Sequence, residues 1–180
     1  MNNIEEYINL MRKQRHDFMN DIQIVYGYLQ MSDVDKATNY LEKLGKRNAI
    51  ISSIYALEDN YFGLCLEENI TAISRKGYFI EANVEIDKFY IRFFEKDYIK
   101  KSNLVKNIFN RFENNNCKNI YIYIFEDKIG QSFLISNNEN LGDELNWMEN
   151  WDSMDLDIEG FKLHKYSYGD DLGYRVTFLL

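Results

Sequence analysis

The chain contains no proline among its 180 residues, and only two cysteines, two histidines and nine glycines. Average usage would give about nine prolines in this length. Without them there is no stiff proline-rich linker, and helices can run without a forced stop. Cys65 and Cys117 lie far apart with no CxxC around either. That spacing indicates neither a disulfide framework nor a zinc site, and reduced cytosolic thiols are the simple reading. No apolar run approaches the roughly 18 residues of a membrane span. The opening MNNIEEYINL carries acids where a signal peptide would carry a basic region. A basic surplus is also missing: the formal charge is −8 and the pI about 4.9, which argues against a protein that binds nucleic acid by neutralising phosphates. The expectation is an acidic, cytoplasmic chain with neither nucleic acid nor membrane as partner.

What is present is apolar and patterned. Hydrophobic residues make up 46% and aromatics 16%, enough for a packed core, so disorder is not the general state. Residues 1–60 read as helix. Ile4, Tyr7, Met11, Phe18, Ile22, Val25 and Leu29 form a heptad seam that lacks an apolar residue only near Gln14. A second seam runs through Val34, Ala37, Leu41, Leu44, Asn48, Ile51 and Ile54. Between them lies Gln30-Met31-Ser32-Asp33, where Ser32 is expected to cap the second helix with Asp35 at the capping-box position. So short a connection makes the helices antiparallel neighbours. Two such helices leave apolar flanks wet, and pairing two hairpins into a four-helix bundle covers them. A homodimer through residues 1–60 is the expectation.

From residue 61 the periodicity changes. A helix is expected at 61–76, ending at Gly77, and another from Asp97 to Phe112. Strands are expected at Tyr78–Ile86, Phe89–Phe93, Asn119–Phe125, Ser132–Ile135, Phe161–Tyr168 and Tyr174–Leu180, the last two forming a hairpin around Gly169-Asp170-Asp171. The fold class is therefore α+β: a helical-hairpin domain over 1–60 and an α/β sandwich over 61–180.

Of the two histidines, His164 falls in an expected strand and reads as an ordinary strand residue. His16 lies mid-helix, about 200° round from the seam residue Phe18, and so points to solvent. Arg12 and Lys13 lie one turn back, and Asp17, Met19 and Asn20 beside or one turn ahead. A neutral imidazole attacks phosphorus; an adjacent carboxylate holds the other N–H, and cations receive the incoming anion. On composition and spacing alone, a solvated helix face that includes a histidine is the simpler reading.

The run Arg15-His16-Asp17-Phe18-Met19-Asn20-Asp21-Ile22-Gln23-Ile24-Val25-Tyr26-Gly27 resembles the histidine-box helix of the sporulation-phosphotransferase-B type, shared with citrate-sensor-like histidine kinases. Their pattern is RHD-x-x-N-x-(L/I)-Q-x-(I/V)-x-G, followed by a short turn and a second helix. The resemblance implies a dimeric four-helix bundle with His16 exposed as phosphoryl acceptor and Asp17 as its orienting base. Asn20, Arg12 and Arg15 would give local support, and Met19, Gln23 and Tyr26, along the exposed side, would form part of the receiver contact. It also implies a C-terminal domain like a kinase ATPase domain.

That domain departs from the kinase pattern. The position at which such a kinase offers an asparagine to magnesium holds Arg111, in Asn107-Ile108-Phe109-Asn110-Arg111-Phe112; a shift of register would place Asn107 or Asn110 there. Where a D-x-G-x-G would follow the strand ending at Ile135, the chain has Asn137-Asn138-Glu139-Asn140, with no later glycine-rich loop. Between Lys128 and Lys162 eight carboxylates stand with no Lys or Arg among them, and that field opposes a triphosphate. Trp147 and Trp151 in this segment read as anchors onto the sheet. The resulting expectation is a phosphorelay phosphotransferase in control of sporulation, moving a phosphoryl group between response-regulator receiver domains. It would carry no intrinsic cofactor, with Mg²⁺ supplied by the receiver. The alternatives are an ATP-dependent histidine kinase without a sensor, and a non-catalytic dimeric adaptor or inhibitor of two-component proteins.

Overall fold

The computed structural model describes residues 2–113, 118–142 and 151–180. By its contacts the chain divides into two compact units, 1–46 and 47–180, so the division falls inside a helix and not in a loop.

The first unit is a helical hairpin. Helix α1 spans Asn2–Gln30 and α2 spans Val34–Tyr55, the latter continuing into the second unit. The turn corrects the expected cap. Ser32 adopts φ +57 and ends α1, with Ser32 N–H bonded to Leu29 O at 3.0 Å and Asp33 N–H to Tyr28 O at 2.9 Å, the paired bonds of a Schellman stop. The cap of α2 is Asp33. Its Oδ1 accepts from Lys36 N–H at 3.1 Å and its carbonyl from Ala37 N–H at 3.2 Å. A carboxylate at a helix N-terminus faces unpaired N–H groups and the positive end of the dipole, so it outcompetes the hydroxyl one residue earlier. Lys36 Nζ, 2.6 Å from Asp33 Oδ2, holds that carboxyl below its usual range. Across the hairpin, Tyr40 donates its hydroxyl to Asp21 Oδ1 at 2.6 Å.

The second unit is a six-stranded sheet with two helices on one face. Helix α3 is Asn60–Arg75 and α4 is Tyr98–Glu113; β1 is Phe79–Val84, β2 Asn119–Asp127, β3 Gly130–Ser136, β4 Asp152–Met154, β5 Phe161–Tyr168 and β6 Asp171–Phe178. The order across the sheet is β1-β2-β3-β6-β5-β4. Only β1 and β2 run parallel (Ile80 opposite Ile120), because α4 carries the chain back between them. The remaining pairs are antiparallel, and β5–β6 turn through Gly169 at φ +58. Alternate residues fill the core: Ile120, Ile122 and Ile124 of β2 and Leu172, Tyr174, Val176 and Phe178 of β6 face Phe62, Leu66, Ile70, Ile108 and Phe109 of the helices.

Phe89–Phe93, expected as a strand, is a loop. Its alternating aromatics serve as plugs: Phe89, Phe93 and Phe94 enter the core around Phe62 and Phe178, with ring centroids 4.8–6.3 Å apart. Its backbone N–H groups find acceptors outside any ladder. Phe89 N–H bonds Leu57 O at 3.2 Å, Tyr90 N–H bonds Gln131 Oε1 at 2.9 Å, and Phe94 N–H bonds Asp59 Oδ2 at 2.8 Å. With those donors satisfied, strand pairing has nothing to add.

The opposite face of the sheet carries a smaller cluster of Leu134 and Trp151 with Tyr123, Phe125 and Tyr166. A β-carbon at Gly173 would lie 2.8 Å from the Trp151 ring, so the missing side chain is the seat of the indole. Trp151 is thus an anchor of the acidic segment, as expected; Trp147 lies outside the described residues. Arg175 is wholly buried here, donating to Asp127 at 2.8 Å and to Ser132 Oγ at 2.9 Å. His164 is a strand residue, as expected, and it is buried, with no hydrogen-bond partner on Nδ1 among the described residues.

Candidate functional site

His16 stands near the middle of α1 with its side chain 73% exposed. Two neighbours reach the ring, both at Nδ1. The Asn20 side-chain amide lies 3.2 Å away and Asp17 Oδ1 3.6 Å away. The nearer partner is therefore Asn20, one helical turn on, while Asp17 sits at ion-pair distance and outside hydrogen-bond range. Residue i+4 comes back onto the same helical face, whereas i+1 is turned away by about 100°. The ring tautomer sets which amide atom meets it: the oxygen accepts from Nδ1–H, the NH₂ donates to a bare Nδ1. In either case Nδ1 is the engaged nitrogen and Nε2 the other.

Arg12, Lys13, Arg15, Met19 and Gln23 are all exposed. On the helical wheel Arg12 and Gln23 fall within about 40° of His16, whereas Arg15 lies about 100° away, on the side of Met19. The hairpin thus brings His16, Asn20, Arg12 and Gln23 onto one face, with Asp17, Arg15 and Met19 flanking it. The Asp21–Tyr40 bond lies about 140° round from His16 and fixes the side of α1 that meets α2.

In the second unit, Asn107, Asn110 and Arg111 are exposed on α4. The turn after β3 is stitched internally. Asn137 donates Nδ2 to Asp170 O and accepts at Oδ1 from Leu172 N–H, both at 2.7 Å. Asn138 donates Nδ2 to Asp171 Oδ2 at 2.9 Å and accepts at Oδ1 from Asn140 N–H at 3.0 Å. These side chains tie the turn after β3 to itself and to the β5–β6 hairpin. Burial pushes the Cys65 thiol up to about 12, so it holds no thiolate at neutral pH. Burial also pulls the Lys101 ammonium down; it donates to Phe93 O and lies 4.8 Å from the Phe161 ring centroid. Among the described residues, no three His, Cys, Asp or Glu side chains gather as a metal site. Nor is any helix there long and apolar enough to cross a membrane.

Residues 1–57 match the family model described as the alpha-helical domain of SpoOB-type sensor kinases. The resemblance read from Arg15 to Gly27 thus falls within a match that spans the hairpin. Among solved structures, the Acinetobacter baumannii histidine kinase AdeS is similar at 12% identity and a TM-score of 0.43, covering 91% of this chain and 97% of that one. A likeness this loose carries nothing about activity. No curated protein matches the chain.

Proposed function

We propose that this protein is a phosphorelay phosphotransferase in which His16 carries the phosphoryl group between the receiver domains of response regulators, in a pathway such as sporulation. The observation that supports this most is the exposed imidazole whose Nδ1 lies 3.2 Å from the Asn20 amide, with Asp17 Oδ1 at 3.6 Å; with the proton on Nδ1 and the Asn20 oxygen accepting it, Nε2 carries the lone pair that is left to react. In the forward step, the Nε2 lone pair forms a bond to phosphorus while the acyl O–P bond of the donor's aspartyl phosphate breaks, and the electron pair leaves with the carboxylate. Asp17 and Asn20 stabilise the charge that the ring gains, and Arg12 and Arg15 meet the incoming phosphoryl oxygens. The reverse step hands the group to a second aspartate. Phosphoramidates and acyl phosphates are both high in energy, so transfer runs in either direction, and the transition state needs alignment and charge neutralisation above all.

The active form in this reading is a homodimer. Met11, Phe18, Ile22 and Leu29 of the α1 seam are each 44–61% exposed in the single chain, and apolar surface of that extent asks for cover. The C-terminal unit would be a kinase-like domain without ATP use. Its asparagine turn, committed to internal hydrogen bonds, and its eight-carboxylate segment support that part of the reading. Mg²⁺ would then come with the receiver.

The test is transfer of label from receiver domains phosphorylated with acetyl phosphate. Acid-labile label on the wild type, absent from His16→Ala of unchanged oligomeric state, is the expected result. Label acquired from Mg·ATP alone would make the chain a kinase, and label from neither source would make it an adaptor.

A further inference from the structure

Helix α2 is shared by the two units, and each holds one end of it. In the hairpin, Ala37 is buried and Tyr40 donates to Asp21. In the α/β unit, Ile54 is 1% exposed in the main core. The Tyr55 ring lies over Gly63, where a β-carbon would stand 2.7 Å from it, and its hydroxyl donates to Glu67 Oε2 at 2.7 Å. Between Ala37 and Ile54 no residue of α2 is buried, over about four turns. A helix draws most of its stability from a packed face, so this middle stretch is its weakest part. Gly45 stands at the centre of it, at the edge of the first unit. A β-carbon there would meet nothing within 4 Å among the described residues, and its φ is not positive. Neither packing nor backbone conformation therefore calls for glycine, which weakens a helix interior relative to alanine. Weak helix formers continue at Asn48, Ser52 and Ser53, the last bonding its own turn through Oγ to Ile50 O at 2.8 Å. A second copy joined along the α2 seam would cover Leu41, Leu44 and Ile51. Gly45, however, lies about 100° off Leu44, and the seam position one turn on is Asn48.

We propose that Gly45 is a joint: α2 opens over Gly45–Ala49 while both of its ends stay docked and both cores stay folded. Opening there gives up the helical bonds that the N–H groups of residues 46–49 make to carbonyls one turn back. The glycine lowers the cost of leaving helical φ and ψ, and no buried contact is lost. The hairpin and the α/β unit then tumble as separate bodies, and a partner that grips one does not carry the other with it. The joint does not depend on what His16 carries.

The experiment is amide hydrogen exchange followed by NMR on the full chain, for wild type, Gly45→Ala and Ala49→Gly. Within α2 of the wild type, protection factors should reach a minimum at residues 46–49. They should stay the same as urea is raised below the unfolding transition, the mark of local opening. Gly45→Ala should raise them roughly 4- to 5-fold, and Ala49→Gly should lower them by a similar factor. Backbone amide nitrogen relaxation should give the two units different rotational correlation times, which draw together in Gly45→Ala. Even protection along the middle of α2 would overturn the proposal. So would a minimum that neither substitution moves, exchange at residues 46–49 that quickens with urea in step with the rest of the hairpin, or a single correlation time for the wild-type chain.

Discussion

Asp59 holds the second unit together through two backbone donors that are far apart in sequence. It is 1% exposed; Oδ1 accepts from Phe62 N–H at 3.0 Å as the N-cap of α3, and Oδ2 accepts from Phe94 N–H at 2.8 Å. Asp59→Ala removes both bonds. The cap contributes about 1 kcal/mol, and a buried N–H that loses a charged acceptor costs about 2 kcal/mol more, so the sum is about 3 kcal/mol. With a urea slope of roughly 2 kcal/mol per M for a domain of this size, the midpoint should fall by about 1.5 M. Asp59→Asn is the sharper variant. An amide has one acceptor oxygen, so it can keep one of the two bonds while its NH₂ group faces the other N–H. Its midpoint should lie between those of the wild type and Asp59→Ala. Urea melts followed by circular dichroism and tryptophan fluorescence give the ranking. Equal midpoints for Asp59→Asn and the wild type would show that the second bond contributes nothing, and the account of the Phe89–Phe94 loop would fall with it.

Two further outcomes follow from the outer face of the sheet. His164 is held below its usual pKa by burial, then by the charges of Lys162 and Arg175. The unfolded chain therefore takes up a proton near pH 6.5 that the folded chain refuses. Stability should be full above pH 6.5 and fall as the pH drops through that value towards the lower folded pKa. His164→Leu should flatten this part of the pH–stability curve, and an unchanged slope in urea melts between pH 7 and 5 would refute the assignment. Gly173→Val should drive Trp151 from its seat, since a β-carbon there already comes within 2.8 Å of the ring. A red-shifted tryptophan emission with β6 still paired is the expected signature, and unshifted emission would show that the indole rests elsewhere.

Much of this molecule is written locally. The heptad spacing from Ile4 to Leu29 gives α1, the run from Asn60 to Arg75 gives α3, and the alternation in Asn119–Asp127 and Asp171–Phe178 gives two strands, because each depends on periods of 3.6 or 2 residues within one segment. The partners of His16 are equally local: i+1 and i+4 on a helix are set by the helix itself. Which of them is nearer, Asn20 at 3.2 Å or Asp17 at 3.6 Å, follows from where each side chain leaves the helix surface.

The remainder depended on segments far apart in the chain. Phe89–Phe93 alternates as a strand does, yet its amide hydrogens are claimed by Leu57, Gln131 and, one residue on, Asp59, about 30 to 40 residues away. No local period encodes that competition. Strand β4 is three exposed residues, Asp152–Met154, with no apolar alternation to announce it; pairing with β5 alone makes it a strand. Ser32 was the expected cap of α2, and the geometry of the turn gave that place to Asp33 by spending Ser32 on the end of α1. The seat of Trp151 exists only because register on β6 brings Gly173 beneath it. Sequence by itself determined the helices, most strands and the histidine face, since these rest on neighbours a few residues away. Tertiary structure decided the aromatic plug, the clasp of Asp59 and the second face of the sheet, since buried donors and cavities are filled by whatever the fold brings to them.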